Sequence, residues 1–321
     1  MNYNILITGS NGYIAKSILK AIPKKNYKLI LLDKKNSKSI NNNYLFYKGD
    51  FSNKKILDKV FSNKIDLIIH LAAFIDVSES IKYPAKYLNN NYHKTVKLFE
   101  YCLSKNMKNI IFASSAAVYG RIKQTNLITE TSKVLPDNAY GLSKLKVENY
   151  LKNKKKFNFI SLRFFNVTGY NELYNQKNFF KRKNSIFDKI LMHIYKKKKL
   201  FIFGKKHQTK DGYSVRDYIH VDDLGNIILD LINKFKKNKK FSSIYNCGSG
   251  RGNSILELIK MFEKIYDIQL KYTVKSNIKG NISNVVSDSE KLKNLINYKL
   301  KKSNIDFIIK EFKKRFKNKN Q

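Results

Sequence analysis

Short, continuous apolar runs separated by amphipathic stretches dominate the first half of the chain. The run Leu67-Ile68-Ile69 is apolar at every position, which is typical of a parallel strand buried on both faces. The pattern predicts strands at residues 4–7, 28–32, 44–47, 67–71, 109–113 and 158–162, with helices between them at 13–21, 54–61, 85–103 and 139–154. Such strand–helix alternation predicts an α/β fold with a doubly wound parallel sheet.

The alternation ends near residue 167. Residues 171–183 are polar, residues 186–195 predict a helix, and residues 200–203 predict a strand. Residues 220–224 begin another helix with an aspartate near its N-cap, and residues 243–247 predict a strand that returns to the main sheet. We therefore expect one domain from residues 1–166, to which 214–250 returns, and a smaller, discontinuous α/β lobe from 167–213 and 251–321.

The composition is that of a globular protein. Hydrophobic residues make up 42% of the chain, which is ample for a core. The cysteines are Cys102 and Cys247, whose spacing matches no metal or redox motif, so both are predicted to be small buried apolar residues. The chain starts without a leader pattern, and no run of about 18 apolar residues predicts a membrane span. We expect a cytoplasmic protein without a metal site or membrane contact.

The net charge is unusual. Lys and Arg total 64 against 24 Asp and Glu, a formal charge of +40. Such a field attracts polyanions, and a protein that binds RNA is one interpretation. However, the lysines are spread over every polar segment and form no stripe interleaved with aromatic residues, as a nucleic-acid platform would favour. Lys, Asn and Ile are overused together, so drift in composition is the preferred explanation and nucleic-acid binding is disfavoured.

A glycine-rich turn follows the first predicted strand. Gly9 and Gly12, in residues 8–15, permit a tight turn whose backbone N–H groups face a pyrophosphate at the start of the next helix. Asp33 ends the second strand, where its carboxylate suits the ribose hydroxyls of NAD and repels the 2′-phosphate of NADP. The strand, turn and helix together predict a Rossmann dinucleotide site. Asp50 is either an acceptor for the adenine amine or a turn or N-cap residue.

A phenol and an ammonium lie one helical turn apart in the predicted helix 139–154. Tyr140 and Lys144 are at i and i+4 and share a helix face. The ammonium, together with a positive nicotinamide ring, is expected to bring the pKa of Tyr140 toward neutrality. Tyr140 can then exchange a proton with a substrate hydroxyl while NAD takes the hydride. Ser114 and Ser115 follow the strand 109–113 and supply a hydroxyl that orients the same oxygen.

Taken together, these motifs resemble the extended short-chain dehydrogenase/reductases, and most closely the NAD-dependent epimerases of the UDP-glucose (UDP-galactose) 4-epimerase type. The segment 211–221, Asp-Gly-Tyr-Ser-Val-Arg-Asp-Tyr-Ile-His-Val, is the most particular to the epimerases. The other matching segments are residues 8–14, 70–73, 90–91, 114–120, 140–144, 163–166 and 245–250.

The resemblance implies a reaction and a set of site residues. It implies inversion of C4 of a UDP-hexose through a transient 4-keto sugar, with NAD regenerated in each cycle. Catalysis is expected from Ser115, Tyr140 and Lys144. Cofactor contacts are expected from Gly9, Asn11, Gly12, Tyr13, Ile14, Asp33, Asp50, Phe51, Ala72, Asn91, Tyr140 and Lys144. Substrate contacts are expected from Ser115, Asn166, Phe203, Arg216 and Tyr218, with Arg216 on the UDP pyrophosphate.

Three positions depart from the pattern of these epimerases. Ile75 stands where a lysine usually contacts the cofactor. Ile278-Lys279-Gly280-Asn281 replaces Arg-x-Gly-Asp, so one phosphate clamp is missing unless Lys275 or Lys279 substitutes as a point charge. A charge-assisted hydrogen bond contributes about 1.5–3 kcal/mol, so weaker nucleotide recognition is expected. At position 285, the small side chain of Val285 would leave space for the acetamido group of an N-acetylated sugar.

Several alternatives remain open. The space at Val285 makes UDP-N-acetylglucosamine 4-epimerase activity an alternative. A 4,6-dehydratase shares the fold but needs an acid–base pair where this chain has Ala116 and Ala117, so dehydration is disfavoured. A non-catalytic RNA-binding protein on the same scaffold is the alternative of a different class. The resemblance also implies a homodimer packed through the helices 85–103 and 139–154.

Overall fold

A computed structural model describes residues 2–23, 25–36, 44–120, 127–174, 180, 185–237, 239–276 and 283–317. The chain divides into two compact units. Unit 1 comprises Met1–Val118, Pro136–Arg163 and Gly225–Tyr245, and unit 2 comprises Tyr119–Leu135, Phe164–Leu224 and Asn246–Gln321. Segments 119–135, 164–166, 214–224 and 246–250, which the predicted boundaries assign to the first domain, thus lie in unit 2. The assignment of a binding function to each domain stays a prediction.

The strands alternate with helices along the first half of the chain. The strands are β1 (Tyr3–Thr8), β2 (Tyr27–Asp33), β3 (Tyr44–Lys48), β4 (Leu67–His70), β5 (Asn109–Ser115), β6 (Asn158–Phe164), β7 (Asn166–Thr168), β8 (Leu200–Phe203), β9 (Val215–His220), β10 (Ser242–Cys247), β11 (Gly252–Ser254), β12 (Tyr272–Lys275) and β13 (Asn284–Val285). The helices are α1 (Tyr13–Ala21), α2 (Lys54–Val60), α3 (Val77–Lys82), α4 (Pro84–Leu88), α5 (Lys94–Ser104), α6 (Ala139–Lys154), α7 (Ile186–Lys196), α8 (Val221–Lys236), α9 (Ile255–Tyr266), α10 (Glu290–Leu295) and α11 (Ile305–Lys317).

A seven-stranded sheet forms the centre of unit 1, in the order β10-β6-β5-β4-β1-β2-β3. The pairs β1–β2, β1–β4, β2–β3 and β4–β5 are parallel. The strand order reverses direction on either side of β1, which places the carboxyl ends of β1 and β4 next to each other at the switch point where doubly wound sheets bind ligands. The predicted doubly wound parallel sheet is confirmed, including the return of β10 to the sheet.

The core of unit 1 lies between this sheet and its helices. Continuous apolar strands supply one side of it, with Ile30, Ile68 and Ile110 fully buried, and helix residues such as Leu98 and Val147 supply the other. Cys102 belongs to the same core and Cys247 is also buried, and both are free, so the prediction of two small buried residues is confirmed. The strands thus behave as the uninterrupted apolar runs predict.

The helix predicted over residues 85–103 is wrong in one respect. A π-helical turn at Asn89–His93 interrupts it between α4 and α5. The turn contains Asn91, whose side chain bonds to the backbone of another segment. Its side-chain oxygen accepts from Phe74 N at 2.8 Å and its amide donates to Phe74 O at 2.8 Å. The π turn thus accompanies an anchor for the loop after β4.

Unit 2 contains two small sheets. In the first, β9 pairs with β11 antiparallel and with β7 and β13 in parallel. In the second, β8 pairs with β12 in parallel. Their core includes the fully buried residues Phe187, Leu258 and Phe312 from α7, α9 and α11. The helix predicted at 186–195 and the strand predicted at 200–203 are confirmed.

The described residues contain neither a membrane-spanning helix nor a cluster of metal ligands. Within these ranges, no helix has both the length and the apolar content that a membrane crossing requires. In the same part of the chain, no group of three or more His, Cys, Asp or Glu side chains is arranged to hold a metal ion.

Candidate active site

The glycine turn lies at the carboxyl end of β1 in unit 1. Gly9 has a φ of +70°, and a Cβ on it would lie 2.8 Å from the backbone nitrogen of Ala72. Only glycine therefore fits this turn at normal cost. Gly12 is the N-cap of α1 and supplies no side-chain cap, and a helix N-terminus is a favourable place for an anion. Tyr13 and Ile14 follow at the start of α1.

Asp33 joins the glycine turn to the end of β2. Its carboxylate accepts from Asn11 N at 3.0 Å and from Lys35 N at 2.9 Å, while the Asn11 side chain donates to Lys35 O at 2.7 Å. A carboxylate has about four acceptor positions, so Asp33 retains capacity for two hydroxyl groups. The carboxylate is thus held in place without a ligand, at the strand end where a ribose is expected.

Asp50 closes a turn and forms ion pairs. Its Oδ1 accepts from Ser52 N at 2.9 Å and from the Ser52 hydroxyl at 2.8 Å, whereas Lys94 Nζ donates to Oδ2 at 2.5 Å. Burial would raise the pKa of this carboxyl, but Lys94, Ser52 and Lys34 together lower it well below its usual value. Asn53, rather than Asp50, caps α2. Asp50 is thus a charged turn residue, and its contact with adenine stays a prediction.

Three other predicted cofactor residues surround the end of β4. Phe51 is buried and meets the His70 ring edge-on at 5.0 Å, so only its backbone remains for a ligand. Ala72 N lies 3.5 Å from the Thr8 hydroxyl. The Asn91 amide bonds to the backbone of Phe74, and its predicted contact with the cofactor stays a prediction.

Ser115, Tyr140 and Lys144 lie together in unit 1. Asn138 caps α6 by accepting from Gly141 N at 2.8 Å, which starts the helix one residue before Tyr140. Tyr140 is hydrogen-bonded to Ser115 at the end of β5. Lys144 Nζ donates to the carbonyl oxygen of Ala113 at 2.7 Å and lies 5.9 Å from the centre of the Tyr140 ring. The structure thus brings the three predicted catalytic side chains together.

Burial shifts the pKa values of this pair in opposite directions. It lowers the pKa of Lys144 to about 7, against a smaller raising effect of Glu148. It raises the pKa of Tyr140, against a lowering effect of the Ser115 hydrogen bond. The expectation from the sequence was a pKa near neutrality through Lys144 and the nicotinamide ring together. The surroundings that the chain supplies instead favour the neutral phenol of Tyr140 over the phenolate. A lower pKa of Tyr140 therefore depends on a further positive charge beside the ring.

The remaining candidate residues lie in unit 2, on and beside β9. Arg216 is paired in register with Val285 of β13, and Tyr218 with Asn166 of β7. Residues i and i+2 of a strand share a face, as do residues in register on its neighbours. The backbone register therefore places Arg216, Tyr218, Asn166 and Val285 on one face of the small sheet.

Side-chain contacts separate these residues by role. Arg216 Nη1 donates to Val215 O at 2.8 Å; burial lowers its pKa, but arginine remains charged at neutral pH. Tyr218 is only 2% exposed, with its ring 5.9 Å from that of Phe187 in the core of unit 2. Its contacts are thus those of a packing residue. Phe203 ends β8 in the other small sheet, with Lys189 Nζ 5.8 Å from its ring centre.

Comparison with known proteins decides the family. A profile of the NAD dependent epimerase/dehydratase family matches residues 5–248. The chain belongs to this family. It is 32% identical over 314 residues to the UDP-glucose 4-epimerase of Lactobacillus helveticus, covering 95% of this chain and 94% of that protein. The UDP-glucose 4-epimerase of Bifidobacterium longum, solved with NAD+ and UDP, superposes with a TM-score of 0.87 at 30% identity over 99% of each chain.

A second solved structure concerns the acetylated sugar. The UDP-Glc/GlcNAc 4-epimerase of Campylobacter jejuni superposes with a TM-score of 0.81 at 32% identity, covering 99% of this chain and 100% of that one. This chain is therefore similar over its full length both to a UDP-glucose 4-epimerase and to an epimerase of UDP-Glc and UDP-GlcNAc.

The departures from the epimerase pattern have different outcomes. Ile75 is 58% exposed, after the loop that Asn91 anchors. The segment 278–281, with Lys279, lies outside the described residues. Lys275 Nζ lies 4.0 Å from the centre of the Phe201 ring, so in this structure it stacks on an aromatic ring. Val285 is 9% exposed beside Arg216.

The epimerase segment 211–221 contains structural residues that the sequence analysis did not identify. Asp217, on the opposite face of β9 from Arg216, is fully buried. Its two carboxylate oxygens accept hydrogen bonds from the backbone and hydroxyl of Ser249, from Gly250 N, and from the backbone and hydroxyl of Ser287. Period-two alternation along β9 was the available signal, because it puts neighbouring charges on opposite faces.

His220 of the same segment has a defined tautomer. Its Nδ1 accepts from Asp222 N at 3.0 Å, so Nε2 carries the proton and donates to Glu311 Oε2 at 2.9 Å. The segment is therefore an anchor of unit 2 as well as the carrier of Arg216.

Gly141 provides a test of how α6 is seated. A Cβ at this position would lie 2.3 Å from the carbonyl oxygen of Ala117, within the 3₁₀ turn Ala116–Val118 that follows Ser115. Because the neighbour is backbone, we expect Gly141→Ala to lower the free energy of unfolding by about 1–3 kcal/mol. Urea unfolding followed by circular dichroism measures this. Lys146→Ala, on the exposed face of α6, is the control, and an unchanged midpoint for Gly141→Ala would contradict the tight seating.

Proposed function

We propose that this chain is an NAD-dependent epimerase that inverts C4 of a UDP-hexose, interconverting UDP-glucose and UDP-galactose. The observation that carries the proposal is the Ser115–Tyr140–Lys144 arrangement, found on the fold of the epimerase/dehydratase family. Full-length similarity to proteins named UDP-glucose 4-epimerase supports the reaction and the sugar.

The residues of unit 1 suit NAD. The close approach of Gly9 to Ala72, the glycine N-cap of α1 and the preset carboxylate of Asp33 fit a pyrophosphate followed by a ribose. Asp33 repels a 2′-phosphate, which favours NAD over NADP. When bound, NAD would supply the hydride chemistry at C4, as acceptor in the oxidation and as donor in the reduction. The contacts proposed for Gly9, Asn11, Gly12, Tyr13, Ile14, Asp33, Asp50, Phe51, Ala72, Asn91, Tyr140 and Lys144 rest on this fit and on the resemblance.

Tyr140 is the proposed acid and base. Its phenolate oxygen takes the proton of the C4 hydroxyl as the carbon is oxidised, and returns it when the 4-keto sugar is reduced. Ser115, hydrogen-bonded to Tyr140, orients the same substrate oxygen. Lys144, fixed to Ala113 O, contributes positive charge that favours the phenolate. Proton transfer and the C4 chemistry are thus assigned to side chains of unit 1.

The residues proposed to bind the substrate in unit 2 are Asn166, Phe203, Arg216 and Tyr218. The Arg216 guanidinium suits the oxygens of the UDP diphosphate, and Asn166 shares its face of the sheet. Phe203 is the proposed uracil contact. Tyr218 lies on the same face of the sheet and packs against Phe187, so its main proposed role is to hold this surface in place.

Arg216→Met is expected to weaken UDP binding by about 10- to 100-fold, because one charge-assisted contact contributes about 1.5–3 kcal/mol. Isothermal titration of UDP into the NAD-loaded protein measures the dissociation constant. Arg251→Met, an exposed arginine of the same unit, is the matched control. Equal affinity in the Arg216 variant and the wild type would remove Arg216 from the site.

The decisive test is a substrate panel. The protein with NAD is incubated with UDP-glucose, UDP-galactose and UDP-N-acetylglucosamine, and the C4 epimers are separated by chromatography. Turnover of UDP-glucose supports the proposal, and its absence refutes it. Turnover of the acetylated sugar at a similar rate would extend the range, as the small Val285 beside Arg216 permits. A 4-keto-6-deoxy product is not expected, since Ala116 and Ala117 cannot exchange protons.

The assembly, location and charge remain proposals. The resemblance supports a homodimer through the helical layer of α4, α5 and α6. Exposed apolar side chains of the neighbouring α3 segment, Val77, Ile81 and Tyr83, are suited to such burial. Sedimentation velocity showing only monomer would contradict the homodimer.

A cytoplasmic location is proposed as well, and cell fractionation tests it. The +40 charge is proposed to have no nucleic-acid role, which salt-dependent retention of RNA without sugar turnover would overturn.

A further inference from the structure

A buried ion pair lies one helical turn beyond Lys144. Glu148 of α6 is fully buried and Arg163 of β6 is 3% exposed. The pair is bidentate, with Arg163 Nε donating to Glu148 Oε1 at 3.0 Å and Nη2 donating to Oε2 at 2.7 Å. Taking two charges out of water costs several kcal/mol per ion, so such a pair is weak evidence of a stabilising role. Another role is therefore worth testing.

The same carboxylate also contacts the strand that carries the catalytic hydroxyl. Ser114 donates from its hydroxyl to Glu148 Oε1 at 2.6 Å, and Ser114 directly precedes Ser115. Lys144 donates to Ala113 O, the residue before Ser114. Glu148 and Lys144, one helical turn apart on α6, thus both hold the end of β5.

We propose that the Glu148–Arg163 pair is a positioning element for the catalytic Lys144: it sets the net charge that the ammonium faces and holds the end of β5 that presents Ser115. The catalytic role of Lys144 rests on the proposed function, whereas the arrangement of charges around Lys144 does not depend on it.

The charges around Lys144 can be named from each side. Tyr140 and Glu148 face it from α6, His70 of β4 acts on it electrostatically, and Arg163 of β6 stands behind Glu148. Burial lowers the pKa of His70 to about 3, so His70 is neutral. Glu148 raises the pKa of Lys144 against the effect of burial. Because Arg163 offsets part of the negative charge of Glu148, the two members of the pair act on Lys144 with opposite signs.

The opposite signs give a test that a purely structural role would fail. Removing the negative charge with Glu148→Gln is expected to lower the pKa of Lys144 by about one unit. Removing the positive charge with Arg163→Gln leaves Glu148 unopposed and is expected to raise it by a similar amount. In the double variant Glu148→Gln/Arg163→Gln the two effects largely cancel, although two buried groups have been changed.

The measurement does not need catalysis. In protein labelled with ¹⁵N at lysine Nζ, a lysine with a pKa of about 7 titrates while ordinary lysines remain charged, and Lys144→Met identifies its resonance. Glu100→Gln, which breaks the exposed pair with Lys154, is the control and should leave this titration in place. Shifts of opposite sign support the proposal; no shift, or shifts of the same sign, overturns it. If one single variant does not fold, the double variant and the other single variant decide.

Activity gives a second readout. Lys144 assists as the ammonium, so turnover should fall as pH rises through its pKa. Glu148→Gln should move this alkaline limb to lower pH and Arg163→Gln to higher pH, by about the shifts seen in the titration. If the two single variants shift the pKa of Lys144 in opposite directions but the protein epimerises no UDP-hexose, only the proposed function is refuted. If the wild type is active but neither variant moves the alkaline limb of the pH profile, only the positioning role is refuted.

Discussion

Tyr140→Phe is expected to lower turnover of UDP-glucose by about 10²- to 10⁴-fold, the usual contribution of a positioned acid–base group. The ring remains, so the stacking distance to Lys144 and the start of α6 should be kept. The variant loses the oxygen that is hydrogen-bonded to Ser115. The neighbouring Lys144 is a poor replacement for proton transfer, because its ammonium donates to Ala113 O. Initial rates with the NAD-loaded protein measure the loss.

Tyr150→Phe is the matched control for this experiment. Tyr150 lies on the same helix, and its hydroxyl donates to the exposed Glu100 at 2.6 Å. Its removal should change turnover by less than about twofold, since surface changes are usually small in effect. Full activity of Tyr140→Phe would show that the proposed base is wrong. Equal losses in both variants would indicate damage to α6 rather than to catalysis.

Asp217→Asn is expected to lower the free energy of unfolding by roughly 3 kcal/mol or more. Both carboxylate oxygens of Asp217 accept backbone N–H groups: Oδ1 from Ser249, and Oδ2 from Gly250 and Ser287. In either orientation, the amide of an asparagine would turn its NH₂ toward one of these donors. A buried donor left without a partner costs about 1–3 kcal/mol, and the hydroxyl bonds of Ser249 and Ser287 are weakened as well.

Urea unfolding followed by circular dichroism measures the loss, because the chain has no tryptophan for fluorescence. Asp306→Asn, at an exposed position in the first turn of α11, is the control and should cost less than about 1 kcal/mol. An unchanged midpoint in Asp217→Asn would show that these hydrogen bonds contribute little to stability.

Local pattern was sufficient for much of the fold. The apolar runs at 67–71 and 109–113 coincide with β4 and β5, since a strand covered on both faces needs apolar residues at every position. The proposed catalytic set could also be predicted, because Tyr140 and Lys144 are four residues apart on one helix and Ser115 follows closely after the predicted strand 109–113. These features depend on neighbours in sequence, which a periodicity can detect.

Contacts between distant residues account for what was missed. The π turn at Asn89–His93 involves a pairing of Asn91 with Phe74, and no spacing along the helix reveals it. Glu148 resembles any polar helix residue until the sheet places Arg163 against it. The pKa of Tyr140 is set by how deeply the ring is buried, so the sequence alone predicted only the influence of its charged neighbours.

The segment 211–221 shows the division between the two sources of information. By itself the sequence determined the family resemblance and, through it, the expected contact of Arg216 with the UDP pyrophosphate. Only the tertiary structure decided that Asp217 is a buried anchor for Ser249 and Ser287, and that Tyr218 packs against Phe187. The physical reason is that a residue's type and spacing set which face of a strand it occupies, whereas its role depends on what the rest of the chain brings to that face.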